Sequence, residues 1–408
     1  MGLGVSQPTQ AAPLNPTTRL APRVHLAQVP VNTVTLFVNP AQGNDNQDGG
    51  SQRAPFRTIT RALQVAQPGT VIQLMPGLYS QQTGEQFPLH LKSGITLQGD
   101  PRSQGRSTLI RGGGYFLSPT SARQDIAILV ANRATLTGVT VTNPNFRGYG
   151  VWIESSNPNV TNNTFTGNTH DGISIVGKST PLIRSNLFQR NGANGITIFG
   201  SARPEIRENI FDNTGFGINV GMNAAPQILQ NRIRNNKDGV VVQASARPVL
   251  RGNLIENNQR DGLVAIALAI PDLGTRVQPG RNIIRGNGRF DVNNATKTQT
   301  TLAFGNQLLS SRIKGSVDLM GNARPVLEMA TPPTFSPGTS VPTRTPVSAR
   351  PPISIPVSPS PSVSSRPPIS IPVPTASGVP TRSTIPISVP APANLPDIPP
   401  PPPAPPIN

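Results

Sequence analysis

Six glycines, Gly150, Gly172, Gly195, Gly217, Gly239 and Gly262, follow one another at intervals of 22, 23, 22, 22 and 23 residues. Each opens a short alternating stretch: GVWIE, GISIV, GITIF, GINVG, GVVVQ and GLVAI. Eight or nine residues later comes a proline: Pro158, Pro181, Pro204, Pro226, Pro248 or Pro271. An asparagine follows (Asn163, Asn186, Asn209, Asn231, Asn253, Asn282), with Phe165, Phe188, Phe211, Ile233, Ile255 or Ile284 two places beyond it. A second asparagine ends most units: Asn168, Asn191, Asn213, Asn236, Asn258 and Asn287. Period-two alternation means strands with one buried face. Gly, Pro and Asn at fixed offsets put turns at fixed places. A unit this short has no room for a helix pair. Three short strands and three turns per unit describe the coil of an all-β fold, a right-handed parallel β-helix.

A fixed period stacks equivalent residues, with a rise of ~4.8 Å per coil. Val151, Ile173, Ile196, Ile218, Val240 and Leu263 are expected in one inward column, and Ile153, Ile175, Ile198, Val220, Val242 and Ala265 in a second. The residues two beyond the first asparagine make a third. The asparagines themselves fit an internal ladder, each amide bonding its copies and satisfying turn backbone in a buried bend. Less regular coils are readable upstream at 95–97, 109–110, 126–130 and 136–141, an insertion at 272–281 bulges outward, and the motif at 323–327 reads as the last coil.

Proline divides the chain. Residues 1–330 contain 21 prolines, whereas the 78 residues of 331–408 contain 26, with 21 Ser and Thr beside them. Such a segment cannot bury a core and reads as a disordered, extended spacer. RPPISIPV occurs in it twice, at 350–357 and 366–373, as an anchor, a docking segment or a plain linker. The small, polar opening up to Pro30 is likewise expected to be disordered, and resembles the remnant of a secreted leader more than a domain. The expected organisation is an N-terminal segment over 1–35, a cap over 36–92, the β-helix over 93–330 and the tail over 331–408.

The cap has its own signals. Ile59, Ala62, Leu63 and Ala66 recur at helical spacing, so 58–67 reads as one amphipathic helix, stopped by Pro68-Gly69. A strand–helix–strand unit covers the open apolar end of a solenoid. The stretch FVNPAQGNDNQDGGSQRAPFRTITRALQVAQPGTVIQLMPGLY carries Gly43, Asn44, Asp45, Gly49, Pro55, Phe56, Thr58, Ile59, Ala62, Leu63, Pro68, Gly69, Pro76, Gly77 and Tyr79 in order. It resembles the N-terminal signature of the domain of unknown function 1565 family, and with the coils behind it the resemblance runs over about 34–288. The resemblance implies a pectin-lyase-like β-helix and leaves activity open.

Composition narrows the chemistry. The chain has no cysteine and three histidines, so thiol chemistry is excluded and a multi-histidine zinc site is not expected. No cofactor and no metal are expected. The loop from Asn44 to Gly49 opens like a calcium loop, but Pro55 stands where the bidentate glutamate belongs, and a polar turn is the expectation. The net charge is +17, and 30 of the 35 cations are arginine. This suits an anionic partner, with solvated charge as the alternative. Arg184, Arg207 and Arg251 share one outward position, a candidate anion ladder. One Trp and three Tyr are too few for a single-strand nucleic-acid platform, so no nucleic acid is expected. No apolar run approaches a membrane span of about 20 residues.

Chemistry is sought on the outward face of the first strand of each coil. His170 and Asp171 with Glu154 form the candidate catalytic set, since a histidine beside a carboxylate can take or return a proton. Tyr149 and Trp152 are expected to stack on a sugar ring, and Arg147 and Arg190 to pair a uronate carboxylate. The alternative for Asp171, Asp238 and Asp261 is ordinary Asp-Gly turn chemistry. The stretch VWIESS over 151–156 matches the VWIDH of pectate lyases only loosely, with Glu154 for the Asp and Ser155 for the His. The paired-Asp and GHG motifs of polygalacturonases and the DPHE motif of mannuronan epimerases are missing, so no known catalytic set carries over. The leading expectation is a monomeric, extracytoplasmic protein that binds polysaccharide, anionic by preference, or the cell envelope. A polysaccharide lyase, epimerase or hydrolase is the second, and a scaffold or adhesion protein the third.

Overall fold

The computed structural model describes residues 1–2, 33–46 and 49–323. The N-terminal segment 3–32, the Pro-rich tail and, beyond Ala323, the expected last-coil motif lie outside the described residues. Among the described residues the fold is almost entirely β, in three long sheets of nine, nine and eleven strands. Each sheet takes one strand from successive coils, and every pairing along the stack is parallel. The chain is a right-handed parallel β-helix. No helix among the described residues is long and apolar enough to cross a membrane.

The register follows the sequence period. Ile173 pairs with Val151 on one side and Ile196 on the other, and Ile175 with Ile153 and Ile198. Both inward columns are fully buried along their length. The third column stacks its rings: Phe165 on Phe188 at 5.0 Å and Phe188 on Phe211 at 4.7 Å. The repeat glycine is a packing requirement here. A Cβ on Gly195 would lie 2.5 Å from the ring of Phe211 and 2.6 Å from the Gly217 carbonyl.

Two side-chain amide ladders run inside the bends. In the first, Nδ2 of Asn163 donates to Oδ1 of Asn186 (3.1 Å), and the same bond repeats from Asn186 to Asn209, Asn231, Asn253, Asn282 and Asn306. Each amide also donates to a backbone carbonyl of the preceding coil, as Asn209 does to Ile183, and each oxygen accepts a backbone N–H, as that of Asn209 does from Asn186. The second ladder joins Asn168 to Asn191 and Asn236 to Asn258 and Asn287. One expected member is corrected. Asn213 turns the chain with φ 55°, and Thr214 takes the ladder place, bonding Oδ1 of Asn236 at 2.8 Å.

At the N-terminal end, Thr35–Val38 and Val71–Leu74 begin the first sheet, and the helix Ile59–Val65 lays Ile59, Ala62 and Leu63 over the core. The helix is two residues shorter at its end than its pattern predicts, and Thr58 is its N-cap. Asp45 accepts from the backbone N–H groups of Arg57 and Thr58 at 2.8 and 3.1 Å, and Glu85 from those of Ile59 and Thr60 at 2.7 and 2.9 Å. These carboxylates satisfy the free donors of the first turn. The acidic loop after Asn44 thus serves the cap, with Asp45 as its anchor.

The ladders make one prediction. Asn209→Ala orphans the Asn186 N–H and the Ile183 carbonyl in a dry bend, and should lower the unfolding free energy by about 3 kcal/mol. Urea unfolding followed by circular dichroism checks it; a change under about 0.5 kcal/mol would show that the ladder carries little.

Candidate functional site

One piece of the chain departs from the coil plan. Gly114–Ser118 turns back and pairs antiparallel with Ala122–Val130, a strand of the eleven-stranded sheet. Side chains alternate along both arms. Phe116 and Ile126 face the coils and pack with Tyr149, Trp152, Val176, Leu129 and Phe199 as a second apolar cluster outside the solenoid core. Tyr115 and Leu117 point the other way and are 68% and 77% exposed. Gly113 and Gly114 permit the approach: a Cβ on either would lie 2.2 Å from Asp125 Oδ1 or from the Phe87 carbonyl.

This hairpin changes the standing of the expected sugar platform. Trp152 and Tyr149 do lie on the outward side of their strand, but they are 3% and 6% exposed because the hairpin covers them. They meet edge to face at 5.3 Å and are packed as a core is packed. Glu154 does not stand in an open groove either. Its Oε1 accepts from the backbone N–H and the hydroxyl of Thr120 (3.1 and 2.6 Å), and its Oε2 from Ser118 Oγ (2.8 Å) and Trp152 Nε1 (3.0 Å). Burial alone would raise its pKa. The donors from Thr120, Trp152 and Ser118 outweigh that and hold the carboxyl below its ordinary range.

His170 and Asp171 are brought together. Nδ1 of His170 lies 2.9 Å from Oδ1 of Asp171, with the imidazole side chain 28% exposed and the carboxylate 2%. Ser174 Oγ and Asn194 Nδ2 also donate to Asp171, both at 2.9 Å. A carboxylate so placed accepts a hydrogen bond from Nδ1–H and so favours the tautomer that leaves Nε2 as the free acceptor. The ring of Tyr149 lies 4.4 Å from the imidazole. Burial raises the Tyr149 pKa, the charge of Asp171 adds to this, and a hydrogen bond with Arg147 opposes it, so the phenol stays protonated at neutral pH. Tyr149, Trp152, Glu154, His170, Asp171 and Arg147 therefore form one connected set. Arg190 does not share it: its side chain is exposed, and its N–H bonds the Asn213 carbonyl at 3.0 Å in the neighbouring coil.

The other aspartates of the column are structural ties between coils rather than turn formers. Asp238 accepts from the Asp261 N–H at 3.1 Å and pairs with Arg260, while Asp261 accepts from the Phe290 N–H at 3.1 Å and pairs with Arg289 at 2.7 Å. The arginine column is in register but neutralised. Arg184 binds Glu208 at 2.8 Å, Arg207 binds Glu205 and Glu208, and Arg251 binds Asp272 at 2.8 Å. It is a set of ion pairs within and between coils, and the expected anion ladder is not formed.

The open space lies on the far side of the hairpin. A groove of about 880 Å³ has Tyr115, Arg123 and Asp125 on its floor and Phe87, Phe146 and Arg147 on its walls. Phe146 is 89% exposed. The guanidinium of Arg123 lies 3.5 Å over the ring of Tyr115. Asn145 Nδ2 holds Asp125 by both oxygens at 3.2 Å. Of the expected substrate-binding residues Arg147 alone lines this groove. Tyr115, Arg123 and Phe146 were outside the sequence expectation. The signal for Tyr115 is GGGYF over 112–116, a glycine run with no counterpart in the repeat; Arg123 and Phe146 carry no such signal.

A family model described as Protein of unknown function (DUF1565) matches residues 41–312. The chain belongs to that family. Curated proteins give no match. Among solved structures it is similar to a pectate lyase, at 15% identity and TM-score 0.46 over 72% of this chain and 80% of that one. A rhamnogalacturonan lyase is similar at 14% identity and TM-score 0.47, over 71% of this chain and 85% of that one. The A-module of a mannuronan C-5 epimerase of Azotobacter vinelandii is similar at 14% identity and TM-score 0.39, over 66% and 94%.

The Glu154 contacts set a pH dependence. A carboxyl depressed in the folded state stabilises the hairpin fully above its unfolded pKa, and that contribution is lost as pH falls through the depressed value. Acid titration of Trp152 emission should therefore show a hairpin transition below the ordinary glutamate range. Glu154→Gln should abolish it; persistence of the same transition in that variant would assign it elsewhere.

Proposed function

We propose that this is a polysaccharide-binding β-helix protein, working outside the cytoplasm, whose ligand is an acidic glycan held in the groove beside the hairpin. One observation carries the reading: two exposed rings, Tyr115 and Phe146, stand in one open groove with two arginines, Arg123 and Arg147. Aromatic faces take the apolar face of a sugar ring. Guanidinium groups take carboxylates in paired, charge-assisted hydrogen bonds. Asp125, held by Asn145, is placed to accept from sugar hydroxyls. The rigid coils beneath keep the floor preorganised, which limits the ordering cost of binding. The ligand class, rather than any targeting feature of the chain, motivates the extracytoplasmic setting.

A second reading has its own observation. The His170–Asp171 pair at 2.9 Å, with the aspartate buried and the imidazole reachable, is built to hold one tautomer. Through Tyr149 it adjoins Arg147 at the groove wall. In that reading a uronate bound by Arg147 presents an acidic C–H to Nε2 of His170, and the chemistry is proton abstraction of the lyase or epimerase type.

Binding and turnover separate the two. Affinity electrophoresis or calorimetry with uronic-acid polymers and with neutral glucans should show preference for the acidic polymers. Arg147→Ala and Arg123→Ala should each weaken that binding by about tenfold or more at low salt, with a smaller difference from the wild type at high salt, where the lost charge is screened anyway. No binding to any acidic polymer would overturn the leading reading. Unsaturated products or inverted C5 centres that vanish in His170→Ala would establish the second; binding without turnover would exclude it for those polymers.

A further inference from the structure

We propose that Glu154 is the positioning residue of the glycan groove, a latch that sets where the hairpin lies and therefore where the groove floor lies. The inference rests on the groove reading above and adds to it the element on which recognition depends. Among the described residues the outer arm Gly114–Ser118 pairs with Ala122–Val130 alone. A two-stranded hairpin is marginal by itself in water, so its place is fixed by what its inner face and its tip touch. The inner face touches the Tyr149 and Trp152 cluster. The tip is held by one carboxylate: Ser118 Oγ and both donors of Thr120 come from the hairpin, and Trp152 Nε1 comes from the coil, all on Glu154 within 3.1 Å.

A carboxylate is the group this geometry needs. All four contacts are donors, and an ionised carboxylate offers acceptor sites on both oxygens and no proton. A glutamine keeps one acceptor oxygen and turns an NH2 group toward donors already present. The tip then loses one or two of its three bonds to this side chain, while the coil loses nothing of its core. The opposite face of the same hairpin carries Tyr115 and Arg123, so any shift of the tip moves the ring and the guanidinium that receive the glycan. Coupling runs in both directions, because linkage is reciprocal. A glycan that fixes the outer face fixes the inner face too, and Trp152, the chain's single tryptophan, lies there.

The full chain allows the latch and the groove to be tested apart. Without ligand, trypsin should cut after Arg123 at least about fivefold faster in Glu154→Gln than in the wild type, and the emission of Trp152 should shift, while the far-UV melting curve of the coils is unchanged. With polygalacturonate as the probe, saturation should shift wild-type Trp152 emission although Trp152 does not line the groove. Glu154→Gln should bind it about tenfold more weakly, within the usual range of coupling between sites. Thr120→Ala, which removes one contact and leaves the charge, should give a smaller change in the same direction, and serves if Glu154→Gln does not fold. Unchanged trypsin cleavage and unchanged emission in both variants overturn the latch whether or not glycan binds. Equal affinity of wild type and Glu154→Gln overturns its role in recognition. Failure of the wild type to bind, with the latch effects present, overturns the groove reading instead.

Discussion

Everything in this molecule depends on satisfying the backbone of a buried bend. A coil of 22 or 23 residues must turn three times, and a turn that faces the core carries N–H and C=O groups that neither strand pairing nor water can reach. The asparagine ladders answer this. One side-chain amide serves a backbone carbonyl in the coil before, a backbone N–H, and its own copy in the coil after. The arrangement works only in register, because a one-residue slip would take each amide away from its copy in the next coil and turn it to the other face of the strand. The ladder thus explains the strict period, and the period in turn stacks the valine, isoleucine and phenylalanine columns that supply the apolar core.

Much of this was legible in the sequence. The two inward columns, the phenylalanine stack and the first asparagine ladder fall where the repeat puts them, because a solenoid turns sequence offset directly into spatial neighbourhood. The exceptions are instructive. Asn213 has the right residue type one place early, and Thr214 has the right position with a hydroxyl that can still reach the next amide. A ladder selects for hydrogen-bonding reach at a stacked position, and residue identity follows only loosely.

The site was less legible for a physical reason. Alternation says which side of its own sheet a residue faces, and Trp152 does face outward, with Tyr149 brought to the same side by the irregularity at Gly150. It says nothing about what a distant, non-repeating segment lays on top. The hairpin over 114–126 is such a segment, and it turned an expected open platform into a second small core. The same is true of charge. Arg184, Arg207 and Arg251 stack as their spacing requires, but Glu208, Glu205 and Asp272, at other offsets, take up their charge. Repeats are read from what recurs, whereas the groove with Tyr115, Phe146 and Arg123 is built from what does not.

The head-to-tail bonding of the amides has a consequence for how such a chain can change. Along the first ladder every coil hands the same donor to its successor, so the boundaries between these coils are chemically alike. Duplication or loss of a whole coil keeps that ladder closed, while a gain of a few residues is tolerated only between ladder positions, as at 272–281, where Val277 stands 91% exposed. Length is then a nearly neutral variable. The N-terminal coils bearing the hairpin keep their local surroundings however tall the stack behind them grows.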